Sequence, residues 1–410
     1  MISAILSSGV YIFLFIALYF EVFLLLTYLE KRPKMRTGRR ELPYYPRTAV
    51  IVPCFNEAST IGRTLESLLA LDYPKERLFI AVVDDGSTDN TFEIAKGYER
   101  HENVRVYRKE NGGKHTALNF AIEKLDTELI GCLDADSFVA PQALREIAYY
   151  FVNGKELMAV TPAIKVENPR NFLELMQRAE YTLGIFYKRM FGTMAAIPVL
   201  PGPFSIYRRE VFERIGGFRK AHNTEDMEMT LRMHAHRMPI ENAHTAHVYT
   251  TVPRTLGTLI KQRTRWVQGF LQNSRDYKYM YFNPRFGALG MFVLPAGILS
   301  IYSGLYLVGY TIYSLIGHLI SSYTSLSAIG FSFGVPQLSL FFLDTSATFF
   351  LIVILLFFTL FLMALGRRIA EDNIFSWDIL WYLSIYGFVV PIWVAKAVFN
   401  TALARTTTWR

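Results

Sequence analysis

From Phe286 to Leu343 the chain carries no Lys, Arg, Asp or Glu. A run of that length cannot stay in water as ordinary surface; it has to span a membrane or lie against one. After Asp344 a second uncharged run reaches Gly366 and is closed by Arg367 and Arg368. A third apolar stretch covers about Ile379 to Ala395, and one at the other end of the chain covers Ile2 to Leu29, with Glu21 as its one acid. A bilayer-spanning helix takes about 20 residues. The spans are therefore read as 1–30 and about three within 286–400, at roughly 287–317, 345–366 and 378–399. Residues 325–343 form a further re-entrant or interfacial piece.

Charge orients these spans. No basic residue precedes Ile2 and no small-residue cleavage site follows, so 1–30 reads as an uncleaved anchor. Lys31, Arg32, Lys34 and the basic residues from Arg36 to Arg40 come next, in a linker over 31–46. By the positive-inside rule that linker is cytoplasmic and the protein a multi-pass plasma-membrane one. The segment between the first two C-terminal spans lacks Lys and Arg, as an outside loop does, and Arg367 and Arg368 then lie inside. The topology of the last span stays open: alternation puts the 401–410 tail outside, against Lys396, Arg405 and Arg410. The formal net charge of +8 is thus explained by membrane lipid and anionic substrates, and no nucleic-acid-binding motif accompanies it. The two cysteines, Cys54 and Cys132, fall on or beside predicted strands and imply neither a disulfide framework nor a thiolate metal site.

Between the apolar ends, 47–255 reads as an α/β domain. Thr48–Pro53, Leu78–Val83, Val104–Tyr107 and Leu129–Leu133 are strand-like; Ala58–Leu71, Asp89–Tyr98 and Lys114–Leu125 are helix-like. Alternation at this spacing predicts βαβ units and a mainly parallel, Rossmann-like sheet. Such sheets bind ligands at the carboxyl ends of their strands. Residues 171–191 and 256–285 read as amphipathic and interfacial.

The strand ends carry the chemistry. After the first come Pro53, Phe55 and Glu57, an aromatic and an acid able to stack on a base and accept its N–H. The second runs straight into Asp84 and Asp85, which burial would penalise without a partner; Asp89 beyond them can cap the next helix. Asn111-Gly112-Gly113-Lys114 is a glycine turn into a helix, an anion site or an ordinary turn. The fourth strand ends in Asp134-Ala135-Asp136, two carboxylates that can share Mg²⁺ or Mn²⁺ and leave room for phosphate oxygens. Thr224-Glu225-Asp226 opens a helix: Thr224 is a candidate N-cap, and the acids are either first-turn acids or a general base for an acceptor hydroxyl. Gln262-Arg263-Thr264-Arg265-Trp266 follows on the amphipathic stretch, where Arg can grip a diphosphate and Trp can face a sugar or anchor at the interface. His244 and His247, on a predicted strand, read as packing or as metal ligands.

In this order, Asp84-Asp85, Asp134-x-Asp136, Thr224-Glu225-Asp226 and Gln262-x-x-Arg265-Trp266 resemble glycosyltransferase family 2. Within it they resemble the membrane-embedded processive β-glycosyltransferases: the poly-N-acetylglucosamine, hyaluronan, chitin-oligosaccharide and cellulose synthases. The resemblance covers about residues 47–275 and implies a GT-A fold. It also implies an inverting displacement with UDP leaving. Phe55, Glu57 and Asp84 or Asp85 then contact uridine and Lys114 the donor. Asp136 is the main metal ligand beside Asp134, Asp226 the base with Glu225 beside it, and Gln262, Arg265 and Trp266 hold the diphosphate and the acceptor end. Gly202-Pro203-Phe204-Ser205 falls where the family contacts its acceptor. Its Gly-Pro form is nearer hyaluronan and chitin-oligosaccharide synthases, whereas the Thr-Glu-Asp triplet leans away from the former; UDP-N-acetylglucosamine is the favoured donor. The implied partners are a UDP-sugar, a growing polysaccharide and membrane lipid, with a small accessory subunit left open. The alternatives are a transferase of one sugar to a lipid acceptor and a non-catalytic, nucleotide-sensing membrane protein.

Overall fold

The computed structural model describes residues 2–31, 42–222, 224–329, 346–373 and 376–405. The basic run from Arg32 to Arg40, Asn223, most of the segment read as re-entrant, and Arg410 lie outside the described residues. The chain divides into two compact units, Met1–Leu29 with Ala296–Leu362 and Glu30–Pro295 with Met363–Arg410. It opens with the apolar helix α1 (Ile2–Lys31).

The larger unit is built on one sheet. Strands β1 (Thr48–Cys54), β2 (Leu78–Asp84), β3 (Val104–Arg108) and β4 (Leu129–Cys132) alternate with helices α2 (Ile61–Leu69), α3 (Thr91–Lys96) and α4 (Lys114–Lys124). All seven residues of β1 are buried, because helices cover both faces of the sheet and leave no side for polar residues. Ile61, Leu65 and Leu68 fall on one face of α2 and close the core over β1. The chain continues through β5 (Ser137–Val139), α5 (Ala143–Asn153), β6 (Ala159–Val166), α6 (Phe172–Thr193), β7 (Ser205–Arg208), α7 (Arg209–Ile215), α8 (Glu225–Ala235), β8 (Ile240–Thr250) and α9 (Leu256–Asp276).

The strand order is β3-β2-β1-β4-β7-β6-β8-β5. The βαβ half is parallel as expected; beyond β4 the sheet is mixed, with β4–β7, β6–β7 and β5–β8 antiparallel and β6–β8 parallel. Register sets the site: Cys54 at the end of β1 lies opposite Asp84 at the end of β2, so both strands deliver their polar residues to one edge.

Three more apolar helices follow: α10 (Leu294–Ile329), α11 (Ala347–Ile369) and α12 (Asp378–Ala402). With α1 they make, among the described residues, four helices long and apolar enough to cross a membrane. Helix α10 runs past the expected end near 317 into the segment read as re-entrant. In the smaller unit, Tyr306 donates a 2.8 Å hydrogen bond to the Leu6 carbonyl. Glu21 accepts one of 2.6 Å from Thr359, which partners the one acid of the first apolar stretch.

In the larger unit α12 packs along α6 and α9. At its start Asp378 is ion-paired with Arg178 at 2.8 Å and with Arg367. Past its end the Arg405 carbonyl accepts 2.5 Å from Gln268 on α9. Both ends of this last apolar helix are therefore held by the same unit.

Candidate active site

The loops after β1 and β2 are stapled to each other. Asn56 takes a positive φ of 56° just past β1, its N–H donates to Ser87, and its side-chain oxygen accepts the Thr88 N–H at 2.8 Å. That turn presents Phe55 and Glu57 beside the end of β2. Asp89 accepts from the Thr91 N–H at 3.0 Å, close to the capping role expected of it, although Asn90 is the residue preceding α3.

Asp84 and Asp85 are buried and each has internal work. Asp84 accepts the Ser87 N–H and pairs with Arg108 at 3.2 Å. Asp85 accepts the Gly112 N–H at 3.1 Å, the Gly113 N–H at 2.8 Å and the Lys109 ammonium at 2.6 Å. The glycine turn is therefore an anion site whose anion is the protein's own carboxylate. Of the two readings left open for this turn, a ligand's anion site and an ordinary turn, the first meets a competitor within the chain: a buried Asp at the end of β2 takes its backbone N–H groups.

Lys114, the first residue of α4, reaches the other way. Its ammonium is 2.5 Å from Asp134 after β4 and 3.6 Å from Glu225 at the start of α8. Burial opposes that charge, but the two carboxylates outweigh it and hold the amine above the ordinary lysine range. Gly202 lies against the pair: a Cβ there would sit 2.5 Å from the Lys114 ammonium and 2.8 Å from both Asp134 oxygens. The space enclosed by Lys114, Gly202, Glu225 and Asp226 is only about 10 Å³, too little for an added side chain. Gly202→Val is expected to part Lys114 from Asp134 and lower transfer about tenfold, with an overpacking cost of about 1–3 kcal/mol. Unchanged rate and unchanged Tm in that variant would remove the cradle.

Asp136 precedes β5. Burial first, then the neighbouring carboxylates of Asp134 and Glu57, push its carboxyl up to about 7. Among the described residues no cluster of three or more His, Cys, Asp and Glu could enclose a metal unaided. The donor set is instead an open pair of hard oxygens with excess negative charge nearby. That fits a divalent cation whose remaining positions go to phosphate oxygens and water.

Glu225 and Asp226 form the first turn of α8. The Thr224 side chain does not cap that helix as expected, because its hydroxyl accepts 2.8 Å from Asn273 on α9. Gly269 permits this approach, since a Cβ there would lie 2.4 Å from Thr224. Burial and then Glu225 raise the Asp226 carboxyl to about 6, against the pull of Lys114 and Arg265. Arg265 thus puts the Gln-x-x-Arg-Trp motif within electrostatic reach of Asp226. Gln262 accepts 3.2 Å from Arg263, and Trp266 is 37% exposed, open enough for a ligand ring.

Sequence reasoning passed over Arg263. It is buried, ion-paired to Glu180 of α6 at 2.8 Å, and its guanidinium lies 4.2 Å from the Trp266 ring centroid. A basic residue on the buried face of an amphipathic helix was the available signal. His244 and His247 are both buried on β8. Burial, with Lys165 adding to it, lowers His247 to about 4, so it packs as a neutral ring. Both cysteines are buried free thiols. A larger cavity, about 830 Å³, lies at the β5–β8 edge between Arg63, Phe138, Lys165, Arg178 and Asp372. It is lined by none of the motif residues, and its Arg63, Lys165 and Arg178 are already ion-paired.

The family model described as Glycosyltransferase like family 2 matches residues 46–269, which contain all four motifs. The chain belongs to this family. As a family 2 glycosyltransferase it is 32% identical over 221 residues to a poly-beta-1,6-N-acetyl-D-glucosamine synthase of Staphylococcus epidermidis, 53% of each chain. It is 32% identical over 243 residues to the synthase of that name from Staphylococcus aureus, 59% of this chain and 57% of that one. The glycosyltransferase spans about half the length of the curated relatives it matches. Its fold is similar to that of the mannosyltransferase PcManGT from Pyrobaculum calidifontis, solved in complex with GDP-Man and Mn²⁺. The TM-score is 0.63 at 20% identity, over 97% of this chain and 99% of that one. The larger unit contains a GT-A domain, and the chain also carries candidate membrane-spanning helices.

Proposed function

We propose that this protein is an inverting, processive β-glycosyltransferase that polymerises a UDP-sugar, UDP-N-acetylglucosamine first among candidates, and passes the chain across the plasma membrane. One observation carries the reading. Lys114 bridges Asp134 and Glu225, so the Asp-x-Asp pair and the Thr-Glu-Asp triplet face each other across a single cation, with Arg265 in electrostatic reach of Asp226. The two relatives named above are both poly-beta-1,6-N-acetyl-D-glucosamine synthases by name, which supports the choice of sugar.

In this scheme residues 47–255 are cytoplasmic and catalytic, 256–285 lie at the interface, and 1–30 with 286–400 supply the spans. Pro53, Phe55, Glu57, Asp84 and Asp85 form the nucleoside end of the cleft. Asp84 and Asp85 also hold its floor, through Arg108 and the glycine turn. Asp136 and Asp134 would hold Mg²⁺ or Mn²⁺, which when bound offsets charge on the leaving diphosphate. Gln262 and Arg265 add hydrogen bonds to the same phosphates. Trp266 faces the acceptor ring, kept in place by Arg263 and Glu180. Asp226, poised near neutral pH, takes the proton of the acceptor hydroxyl as that oxygen attacks the anomeric carbon in line with departing UDP. Glu225 keeps Lys114 in the site.

A product assay tests this. Purified protein in lipid, offered UDP-sugars and GDP-mannose singly, is expected to form long polymer from one UDP-sugar without added lipid acceptor. A single labelled glycolipid as the sole product would sink processivity and leave the one-sugar transferase; no product from any donor would sink the enzyme reading.

A further inference from the structure

Asp134 has two claims on it. In the proposed scheme it shares Mg²⁺ or Mn²⁺ with Asp136, yet its Oδ1 already lies 2.5 Å from the Lys114 ammonium. A carboxylate has lone pairs enough to touch both partners at once. The two cations would then stand side by side in a half-enclosed cleft, where their repulsion is poorly screened. In its present place, Lys114 works against the metal.

The ammonium has one direction in which to move. Gly202 closes one side, since a Cβ there would sit 2.5 Å from Nζ and 2.8 Å from both Asp134 oxygens. The space between Lys114, Cys132, Glu225 and Asp226 is about 10 Å³, which leaves no room for the amine to retreat inward. The open side is that of Asp134, whose side chain is 30% exposed against 13% for Lys114. Glu225, 3.6 Å from Nζ and nearly buried, holds the ammonium independently of Asp134. Lysine carries three donors on a flexible stem. One N–H can therefore stay with Glu225 while another passes from Asp134 to an oxygen anion that enters from the cleft. A diphosphate is such an anion, and lysine binds phosphate as a point charge.

We propose that Lys114 couples the donor to the metal. In the empty site it occupies Asp134 as a counter-ion; an arriving nucleotide diphosphate draws the ammonium away, Glu225 keeps hold of it, and Asp134 is opened to the divalent cation. This rests on the reading of Asp134 and Asp136 as the metal pair of a nucleotide-sugar transferase. No covalent bond changes; one ion pair is exchanged for another. The cation and the diphosphate then favour each other's binding, and a divalent ion does not load firmly ahead of the donor.

The test uses the full chain in nanodiscs of zwitterionic lipid and measures two affinities separately. Mn²⁺ binding without nucleotide is followed by the paramagnetic resonance of the free ion, and UDP binding without metal by calorimetry. Lys114→Met is expected to move them in opposite directions: Mn²⁺ binds about tenfold tighter, within the usual range of coupling between sites, and UDP about tenfold weaker, the loss of one charge-assisted hydrogen bond. Lys114→Gln, which can still donate to Asp134 and Glu225, guards against a folding defect and should show the same pair of shifts. Lys114→Arg keeps the charge and should leave Mn²⁺ binding weak. A lysine that merely shapes the site would weaken both ligands when replaced. Mn²⁺ affinity unchanged or reduced in both neutral variants overturns the proposal, as does UDP affinity that stays put. Asp136→Asn separates the two readings. If it binds Mn²⁺ as well as the unaltered protein does, the metal pair itself is wrong and the exchange falls with it; if it loses Mn²⁺ while the neutral Lys114 variants gain none, the exchange alone fails.

Discussion

Asp226→Asn is expected to leave a protein that folds and binds its donor but transfers sugar about a thousandfold more slowly, within the range general-base catalysis contributes. Asparagine matches the carboxylate in shape, and burial already disfavours the charge at this position, so the change adds neither void nor strain. The folded-state carboxyl is raised to about 6 by burial and Glu225. A base works ionised, so transfer should fall as pH drops through about 6 in the unaltered protein, and the variant's residual activity should lack that acid limb. Rates over pH 5 to 8 (about three units) with donor affinity from calorimetry check this. Turnover in the variant within a few-fold of the unaltered protein would remove Asp226 as the base.

Chelation should abolish transfer, and Mg²⁺ or Mn²⁺ should restore it in the unaltered protein but not in Asp136→Asn. The site has the character this needs. Asp134, Asp136 and Glu57 crowd negative charge together, and Lys114 is engaged by Asp134 and Glu225. A cation that binds only the folded state stabilises it by mass action. Manganese at about a hundred times its dissociation constant is worth roughly 2.7 kcal/mol, so Tm should rise with Mn²⁺ in the unaltered protein and stay flat in Asp136→Asn. Full activity in excess chelator would defeat the metal role of Asp136, whatever the Tm does.

The βαβ half of the sheet was legible in the sequence because it is local. Ala49 to Cys54 is an unbroken apolar run, α2 repeats Ile61, Leu65 and Leu68 on one face, and both patterns can be read without knowing their partners. The mixed half was not. Strands β6, β7 and β8 pair through residues far apart in the chain, as Ala159 does with Tyr207 and Ile240, and a buried strand reads the same whichever way its neighbour runs.

The candidate site divides in the same way. Residue order alone determined that carboxylates stand at the ends of β2 and β4 and that a Gln-x-x-Arg-Trp helix precedes charge-free runs, because charge and hydrophobic period are properties of neighbours in sequence. Tertiary structure decided which partner each charge took. Asp85 claims the glycine turn 27 and 28 residues on, and Arg263 finds Glu180 across 83. Both ends of α12 are held on the larger unit. No periodicity encodes those pairings. Each is the outcome of competition among donors and acceptors that only folding brings within reach.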